Sequence, residues 1–422
     1  MFVLYSFLLF FAMLVYYPVY YIKLRIIRRE SLHLKKRMGF GLQKSERKGK
    51  SLWIHAVSVG EVLSLRNLIL KLREKHPDWV IRLSTLTQTG FKMAGEKLRG
   101  LDDIFYVPLD FRWSVRRFFK VLEPDLFILA ESEFWPNLLR AAKKWTGGVL
   151  LINGRISPRS AGRYHKYRYF VAKILRNIDF CLVQTERDKE ILENLHMDKS
   201  CIEVSGNLKT DIALPLYTDG EIESFKREMN IPSSHCVLVA GSTHKGEEER
   251  LLAAYVEAKT RRPDILLILA PRHLDRVGEV ELLCVKSGLK VARRTSLGPG
   301  TSWEVLVLDT LGELTRFYAV SDISFVGGSL VSRGGQNLLE PAFYSKPVFF
   351  GPRMDNFAFF ADTFVKSHGA RIVESQEDLV RMFLLMDSDT LSEMGSKARG
   401  LLTSLQGATD KTIAQIESMM GE

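Results

Sequence analysis

The sequence predicts an α/β protein of two doubly wound, Rossmann-like domains in tandem. Three observations carry this. The 422 residues suit two or three domains of ordinary size. From Ser51 onward, short apolar strands alternate with amphipathic helices, the pattern of βαβ units on a parallel sheet. The alternation breaks between Leu208 and Asp219, around Pro215, and then restarts. The expected organisation is residues 1–50 as a hydrophobic anchor with a basic stretch, 51–214 as a first domain and 215–422 as a second.

Phe2 to Ile22, FVLYSFLLFFAMLVYYPVYYI, carries no charge. About 20 apolar residues suffice for a helix to cross a bilayer core. A secretory leader would place its cations before such a run and a small-residue cleavage site after it. Here the cations follow, and no such site appears. Tyr16, Tyr17, Tyr20 and Tyr21 gather at the far end, where aromatic rings favour the headgroup layer. Between Lys23 and Lys50 stand 11 Lys or Arg and 2 Asp or Glu, most of the chain's net charge of +11. The expectation is a single anchor, spanning or lying in the interface. The positive-inside rule places the rest of the chain in the cytoplasm, and the cations attract anionic lipid. The alternative is a hydrophobic helix packed on the globular body.

In the first domain WIHAVSV reads as a strand, and EVLSLRNLILKLREKH as one amphipathic helix. VIRLSTLT, IFYVPL, LFILAES, GVLLING and DFCLVQT are further strands. FKMAGEKLRG, VRRFFKVLE and PNLLRAAKKW are helices between them. In the second domain HCVLVAG, ILLILAP, LKVARR, EVLVLD, ISFVGGS and PVFFG read as strands, with helices such as EEERLLAAYVEAKTRR and QNLLEPAFYS between. Doubly wound domains bind ligands at the carboxyl ends of their strands. A cleft between two of them is the default active site.

Hydrophobic residues make up 46% and charged residues 26%, which excludes disorder, collagen or a many-span membrane protein. The basic excess is local, which excludes a uniformly basic nucleic-acid coat. Its place directly after the apolar run favours lipid over nucleic acid as a partner. Cys181, Cys201, Cys236 and Cys284 form no CxxC and read as buried free thiols in a reducing compartment. No GxGxxG follows a strand and no GxxxxGK[ST] occurs, so neither a dehydrogenase nor a phosphate-loop enzyme is expected. The DSD at Asp387 to Asp389 precedes a helix, where Asp and Ser act as caps, so no metal site is expected.

Glu61 follows the first strand through Ser58-Val59-Gly60 and lands in the first turn of a helix. It is either an acid complementing the helix dipole or a general base kept ionised there and pointed into the site. Glu131 and Glu133, in LAESEFWPN, end another strand of the same domain. Two apart, they share a face if the strand persists; otherwise one caps the PNLLRAAKK helix. Lys209, in GNLKTD, sits at the domain break, reaching into the site or solvated in the linker. In the second domain the start of GSTHKGEEE suits an anion such as phosphate. Arg272 and His273 follow a strand, Gly312 and Glu313 follow another, and Asn337 and Glu340 open a helix. An acid at that helix start could accept hydrogen bonds from ribose hydroxyls.

The ordered set HAVSVGE, ESEFWPN, INGRIS, GNLKTD, STHKGEEE, PRH, DTLGEL, FVGGSLVSRGGQNLLEPA and GPRMDNF resembles the bacterial Kdo transferases, the 3-deoxy-D-manno-octulosonic acid transferases of lipopolysaccharide synthesis. The resemblance runs from the amino-terminal anchor to beyond Phe357. It implies a two-domain glycosyltransferase-B fold, CMP-Kdo as donor, and a lipid A precursor (lipid IVA) as acceptor at the inner face of the bacterial inner membrane. It implies Glu61 as proton acceptor, with Glu131 and Lys209 supporting the transition state. It carries CMP contacts onto Pro271, Arg272, Leu311, Gly312, Glu313, Asn337, Leu338, Leu339 and Glu340. The family commonly has GGHN where this chain has Gly334-Gly335-Gln336-Asn337. Gln336 cannot become cationic, so no charged imidazole acts there.

The residues fit that chemistry. Glu61 would take a proton from the acceptor hydroxyl as it attacks the anomeric carbon, and one-step displacement inverts configuration. Glu131 would offset an oxocarbenium-like charge, and Lys209 the departing phosphate or the Kdo carboxylate. CMP leaves with one phosphate, so neither a metal nor another cofactor is demanded. The basic, aromatic run Arg155 to Phe170 (RISPRSAGRYHKYRYF) is the candidate surface for an anionic, acylated acceptor, or else a solvated helix with an aromatic core face. The rival readings are a membrane-bound enzyme of the same fold using a UDP-sugar, and a non-catalytic, membrane-tethered anion-binding protein.

Overall fold

The computed structural model describes residues 2–22, 33–44, 49–385 and 388–421. The chain divides into two compact units, Met1–Asp211 with Leu405–Glu422, and Ile212–Ser404.

The first unit holds a seven-stranded parallel sheet. Its strands are β1 (Ser51–His55), β2 (Val80–Thr85), β3 (Asp103–Tyr106), β4 (Leu126–Ala130), β5 (Gly148–Gly154), β6 (Phe180–Val183) and β7 (Ile202–Val204). Their order is β3-β2-β1-β4-β5-β6-β7. The winding reverses between β1 and β4, the switch point where doubly wound sheets place their ligands. In register, Leu52 pairs with Ile81 on one side and Leu126 on the other. The central strands are buried on both faces, which is why they read as continuous apolar runs. Leu52 and Ile54 enter one apolar layer with Leu83 and Ile128. Trp53, between them, enters the opposite layer with Phe118, Phe119 and Phe127. The buried Trp53 Nε1–H donates to Ser84 Oγ at 2.8 Å, so the large ring is held without an orphaned donor.

The layer holding Leu52 also contains Ala408, Ile413 and Ile416 of the last helix, Ala408–Met420. Asp211 receives the backbone N–H groups of Gly407 and Thr409 where this helix begins. The expectation that residues 215–422 form one domain is therefore corrected. The second unit ends at Ser404, and the chain returns to finish the core of the first. An amphipathic helix shows that it has an apolar face, but not which sheet that face will meet.

The second unit holds β8 (Cys236–Thr243), β9 (Ile265–Pro271), β10 (Val291–Arg293), β11 (Val305–Val307), β12 (Ile323–Val326), β13 (Val348–Phe350) and β14 (Ala370–Ile372). The order is β10-β11-β9-β8-β12-β13-β14, again parallel, with β11 inserted between β9 and β10. Val237 and Val239 enter one layer with Ile268 and Leu306. Leu238 and Ala240 enter the other with Leu267 and Phe325.

The expected strands are present. The edge strands β7 and β14 were not anticipated, because three residues such as Ile-Glu-Val are too few to show a period. The single helix expected from Glu61 is two, Val59–Ser64 and Arg66–Lys75. Ser64 Oγ donates to the Glu61 carbonyl at 2.7 Å, and Leu65 N–H reaches Val62 O, three residues back, at 3.2 Å, so the turn between them tightens.

Phe2–Ile22 is one helix, with side chains described over residues 5–15. Among the described residues no helix is long and apolar enough to cross a membrane. Phe7, Leu8, Phe10, Phe11, Leu14 and Val15 are exposed. The expected tyrosine cluster, the basic residues at 23–32 and 45–48, and Asp387 fall outside what is described.

Candidate active site

Each of the three acids singled out in the first unit follows the carboxyl end of a strand flanking the switch point. After β1 the chain turns through Val57 and Ser58 into the helix Val59–Ser64. Ser58 and Glu61 form a reciprocal cap: Glu61 N–H donates to Ser58 Oγ, and Ser58 N–H to Glu61 Oε1, both at 3.3 Å. Val57 N–H donates to Glu61 Oε2 at 2.6 Å. Glu61 is only 7% exposed. Burial pushes its carboxyl above the ordinary value, opposed by the Val57 and Ser58 hydrogen bonds and the Lys209 charge. The donors of the turn and the Lys209 charge favour the ionised form of Glu61, while burial works against it.

Glu131 comes just after β4. The strand does not persist past Ala130. Instead Glu131 takes a left-handed backbone conformation, φ 60°. Glu131 and Glu133 nevertheless line one cavity of about 700 Å³ together with Glu61, Arg155, Arg163 and Tyr164. Burial and then the Glu61 charge raise Glu131 to about 7, opposed by Lys209 and Arg155. Burial and the Glu61 charge also raise Glu133. The Lys209 Nζ lies 3.9 Å from where a side chain on Gly60 would begin, which places the ammonium behind the Glu61 turn. Lys209 is held there by the 3-10 turn Leu208–Thr210, whose Asn207 side chain caps Lys209 N–H at 3.0 Å.

Neither Glu131 nor Glu133 caps the helix Pro136–Trp145, whose N-cap residue Trp135 makes no side-chain bond. That task falls to Asp110, which the sequence reading missed. Its buried carboxylate accepts Leu138 N–H at 2.7 Å and Asn137 N–H at 3.1 Å. Of the run Arg155 to Phe170, the helix Pro158–Lys166 has no buried residue. Arg155, Ser157, Ser160, Arg163, Tyr164 and Phe170 of that run face the cavity.

In the second unit the loops after β8, β9, β11 and β12 gather at the carboxyl end of adjacent strands. Pro271 ends β9, and Arg272 N–H donates to Thr243 O at 2.9 Å. Asn337 Nδ2–H donates to Glu340 Oε1 at 3.0 Å. Burial raises Glu340, while the Asn337 hydrogen bond and the Arg272 charge draw it back. Leu338 and Leu339 are buried in the core, leaving only their backbone for a ligand. Leu311 is 79% exposed, and Gly312 adopts φ 88°. Glu313 is engaged by Thr310 Oγ1 and by Arg294 at 3.3 Å. The loop before the helix Glu248–Arg261 is not an open anion cradle as expected: its His244 and Gly246 amides are bonded to the Glu247 and Glu249 carboxylates. Glu247, fully buried, also accepts the N–H groups of Gly328 (2.6 Å), Ser329 (3.0 Å) and Leu330 (2.9 Å), which fixes the β12 loop to the β8 loop. Gln336 Nε2 lies 3.3 Å from His244 Nε2, and burial lowers the His244 pKa.

Two doubly wound, parallel α/β units define a fold of the glycosyltransferase-B type. Solved structures agree on the fold. UDP-GlcNAc 2-epimerase from Neisseria meningitidis bound to UDP-GlcNAc superposes with TM-score 0.57 at 13% identity, covering 88% of this chain and all of that one. The pattern of the family "3-Deoxy-D-manno-octulosonic-acid transferase (kdotransferase)" matches residues 32–212. A 3-deoxy-D-manno-octulosonic acid transferase of Haemophilus influenzae is 31% identical over 386 residues, 90% of each chain. A bifunctional glycosyltransferase/methyltransferase of Fusobacterium nucleatum is 34% identical over 81% of this chain, which spans about half (53%) of that longer protein. The chain belongs to the 3-deoxy-D-manno-octulosonic acid (Kdo) transferases.

Proposed function

We propose that the chain transfers Kdo from CMP-Kdo to a lipid A precursor of the lipid IVA kind, at the cytoplasmic face of the bacterial inner membrane. The observation that supports this best is the cavity of the first unit. Three carboxylates stand beside Arg155 and Arg163, with apolar side chains such as Phe134 and Phe170 completing the wall. Cations beside aromatic and aliphatic walls suit an acceptor that is at once a sugar phosphate and a lipid.

Glu61 takes the proton of the acceptor hydroxyl. The hydroxyl oxygen bonds to the anomeric carbon of Kdo, the bond from that carbon to the phosphate oxygen breaks, and CMP leaves. A carboxyl whose pKa is raised by burial is a stronger base than an exposed one. Glu131, whose charge is costly in the empty cavity, is compensated as positive charge develops on the sugar ring. Lys209 offsets the phosphate or the Kdo carboxylate. Arg272, Asn337 and Glu340 hold the nucleotide, with Glu340 accepting from the ribose, while Pro271, Leu311 to Glu313, Leu338 and Leu339 shape its pocket. The helix Phe2–Ile22 and the basic residues after it keep the enzyme at its lipid substrate.

Purified enzyme incubated with CMP-Kdo and a tetraacylated lipid A precursor tests the proposal. A product heavier by one or more Kdo units, with matching CMP release, is expected. UDP release from a UDP-sugar, with none from CMP-Kdo, would replace this donor assignment.

A further inference from the structure

The amino-terminal helix does more than the anchoring assigned to it. Tyr5 lines the same cavity as Glu61 and Glu131. Its hydroxyl donates to the buried Asp110 carboxylate, which also caps the helix Pro136–Trp145 through Asn137 and Leu138. Asn137 Nδ2–H donates to the Asp110 carbonyl at 2.6 Å and to Ser6 Oγ at 3.0 Å. Asn137 lies four residues past Glu133 in the ESEFWPN segment that carries the acids. One connected set of hydrogen bonds thus joins the helix Phe2–Ile22 to the segment holding Glu131 and Glu133. The connection runs through Asn137 Nδ2 and the Asp110 carboxylate, while the buried Asn137 Oδ1 has no hydrogen-bond partner among the described residues.

The same contacts restrict how the helix meets the membrane. From Tyr5 to Ile22 the axis runs roughly 25 Å at 1.5 Å per residue, close to the ~30 Å of a bilayer core. A helix spanning with Ile22 at the cytoplasmic face would carry Tyr5 to the far face, out of reach of Asp110. With Tyr5 on Asp110, the residue-5 end stays beside the catalytic unit, and exposed Phe7, Phe10, Phe11 and Leu14 are left to meet lipid along its side.

We infer that the amino-terminal helix is a wall of the acceptor cavity, latched by Tyr5 and Ser6 to Asp110 and Asn137, with both of its ends on the catalytic side of the membrane. Tyr5 and Asp110 are positioning residues for the acceptor. This rests on the cavity being the acceptor site.

The test is a double-mutant cycle of Tyr5→Phe and Asp110→Asn in the full-length protein, read both in unfolding midpoint and in kinetics. Tyr5→Phe removes one oxygen and leaves the fold intact. It should raise the KM for the lipid acceptor about tenfold, the scale of one lost charge-assisted hydrogen bond, with the CMP-Kdo KM unchanged. The two substitutions should be non-additive in both readouts. An unchanged acceptor KM in Tyr5→Phe, or full additivity, overturns the latch. A wild-type enzyme inactive on the lipid would instead overturn the acceptor assignment, and the coupling in unfolding would still judge the latch. A protease-sensitive tag before Phe2 should resist digestion from the periplasmic side of intact spheroplasts and be cut once they are opened; cleavage from the periplasmic side overturns the in-plane placement.

Discussion

The carboxylates of Glu61 and Glu131 share one cavity, and the charge on Glu61 is, after burial itself, the largest influence on Glu131, which is raised to about 7. The two acids therefore divide the work unequally. Glu61 is held by the donors of its own turn, while Glu131 stands in the same cavity with its charge opposed.

Glu61→Gln should cut turnover by at least ~100-fold, the lower range of what a positioned general base contributes. CMP affinity should be unchanged, since the nucleotide loops belong to the other unit. The amide keeps one acceptor for Val57 or Ser58, so the stability loss should be about 1 kcal/mol, the scale of a cap. Steady-state kinetics, calorimetry with CMP and thermal unfolding check the three parts. Near-normal turnover would pass the base role to Glu131 or Glu133.

Glu131→Gln should make the ligand-free protein more stable at pH 8 and leave it little changed at pH 4. The folded carboxyl binds its proton more tightly than the unfolded one. Stability is therefore fully present below the unfolded value, near 4.5, and is lost as pH rises to about 7. The gain at pH 8 should be on the order of 3 kcal/mol at most, accompanied by lost transfer activity. Urea unfolding at the two pH values decides it. In Glu61→Gln the Glu131 titration, followed by carboxyl NMR, should move down.

Arg272→Ala should weaken CMP binding about tenfold or more, through loss of a charge-assisted contact. It should also raise the Glu340 titration further, because the Arg272 charge now draws that buried carboxyl down. Calorimetry reads the first effect and NMR the second. Intact CMP affinity would place the nucleotide elsewhere.

Glu247→Gln should lower the unfolding midpoint of the second unit and speed amide exchange at Gly328, Ser329 and Leu330. A carboxylate accepts all four amides, whereas the amide NH2 of Gln faces N–H donors it cannot pair with. A cost of ~2–4 kcal/mol follows from leaving buried donors unsatisfied. Unchanged exchange would show that the β12 loop holds itself.

The strand ends were legible because they announce themselves: WIHAVSV, LFILAES and ILLILAP each stop just before residues singled out as candidates. Glu61, Glu131 and Glu133 were singled out where strands stop, and Lys209 at the domain break; the structure brings the three acids to one cavity. Asp110, Tyr5 and Glu247 were not. Asp110 bonds to amides 27 and 28 residues away, and Glu247 to amides more than 80 away. Nothing local in PLDFRW or KGEEE marks an acid that will serve a distant loop. The left-handed turn at Glu131 was also hidden, since a non-glycine residue gives no signal of a positive φ.

The return of the Ala408–Met420 helix to the first unit has a consequence for synthesis on the ribosome. The sheet that carries the acids is translated first, but one of its apolar layers is completed only after the whole second unit has emerged. The second unit can therefore be finished while the first still waits for its last helix. A chain stopped at Ser404 would present Leu52, Ile54 and Ile152 layers uncovered and be open to proteolysis. Translation beyond the second unit thereby becomes a condition for a closed core in the first.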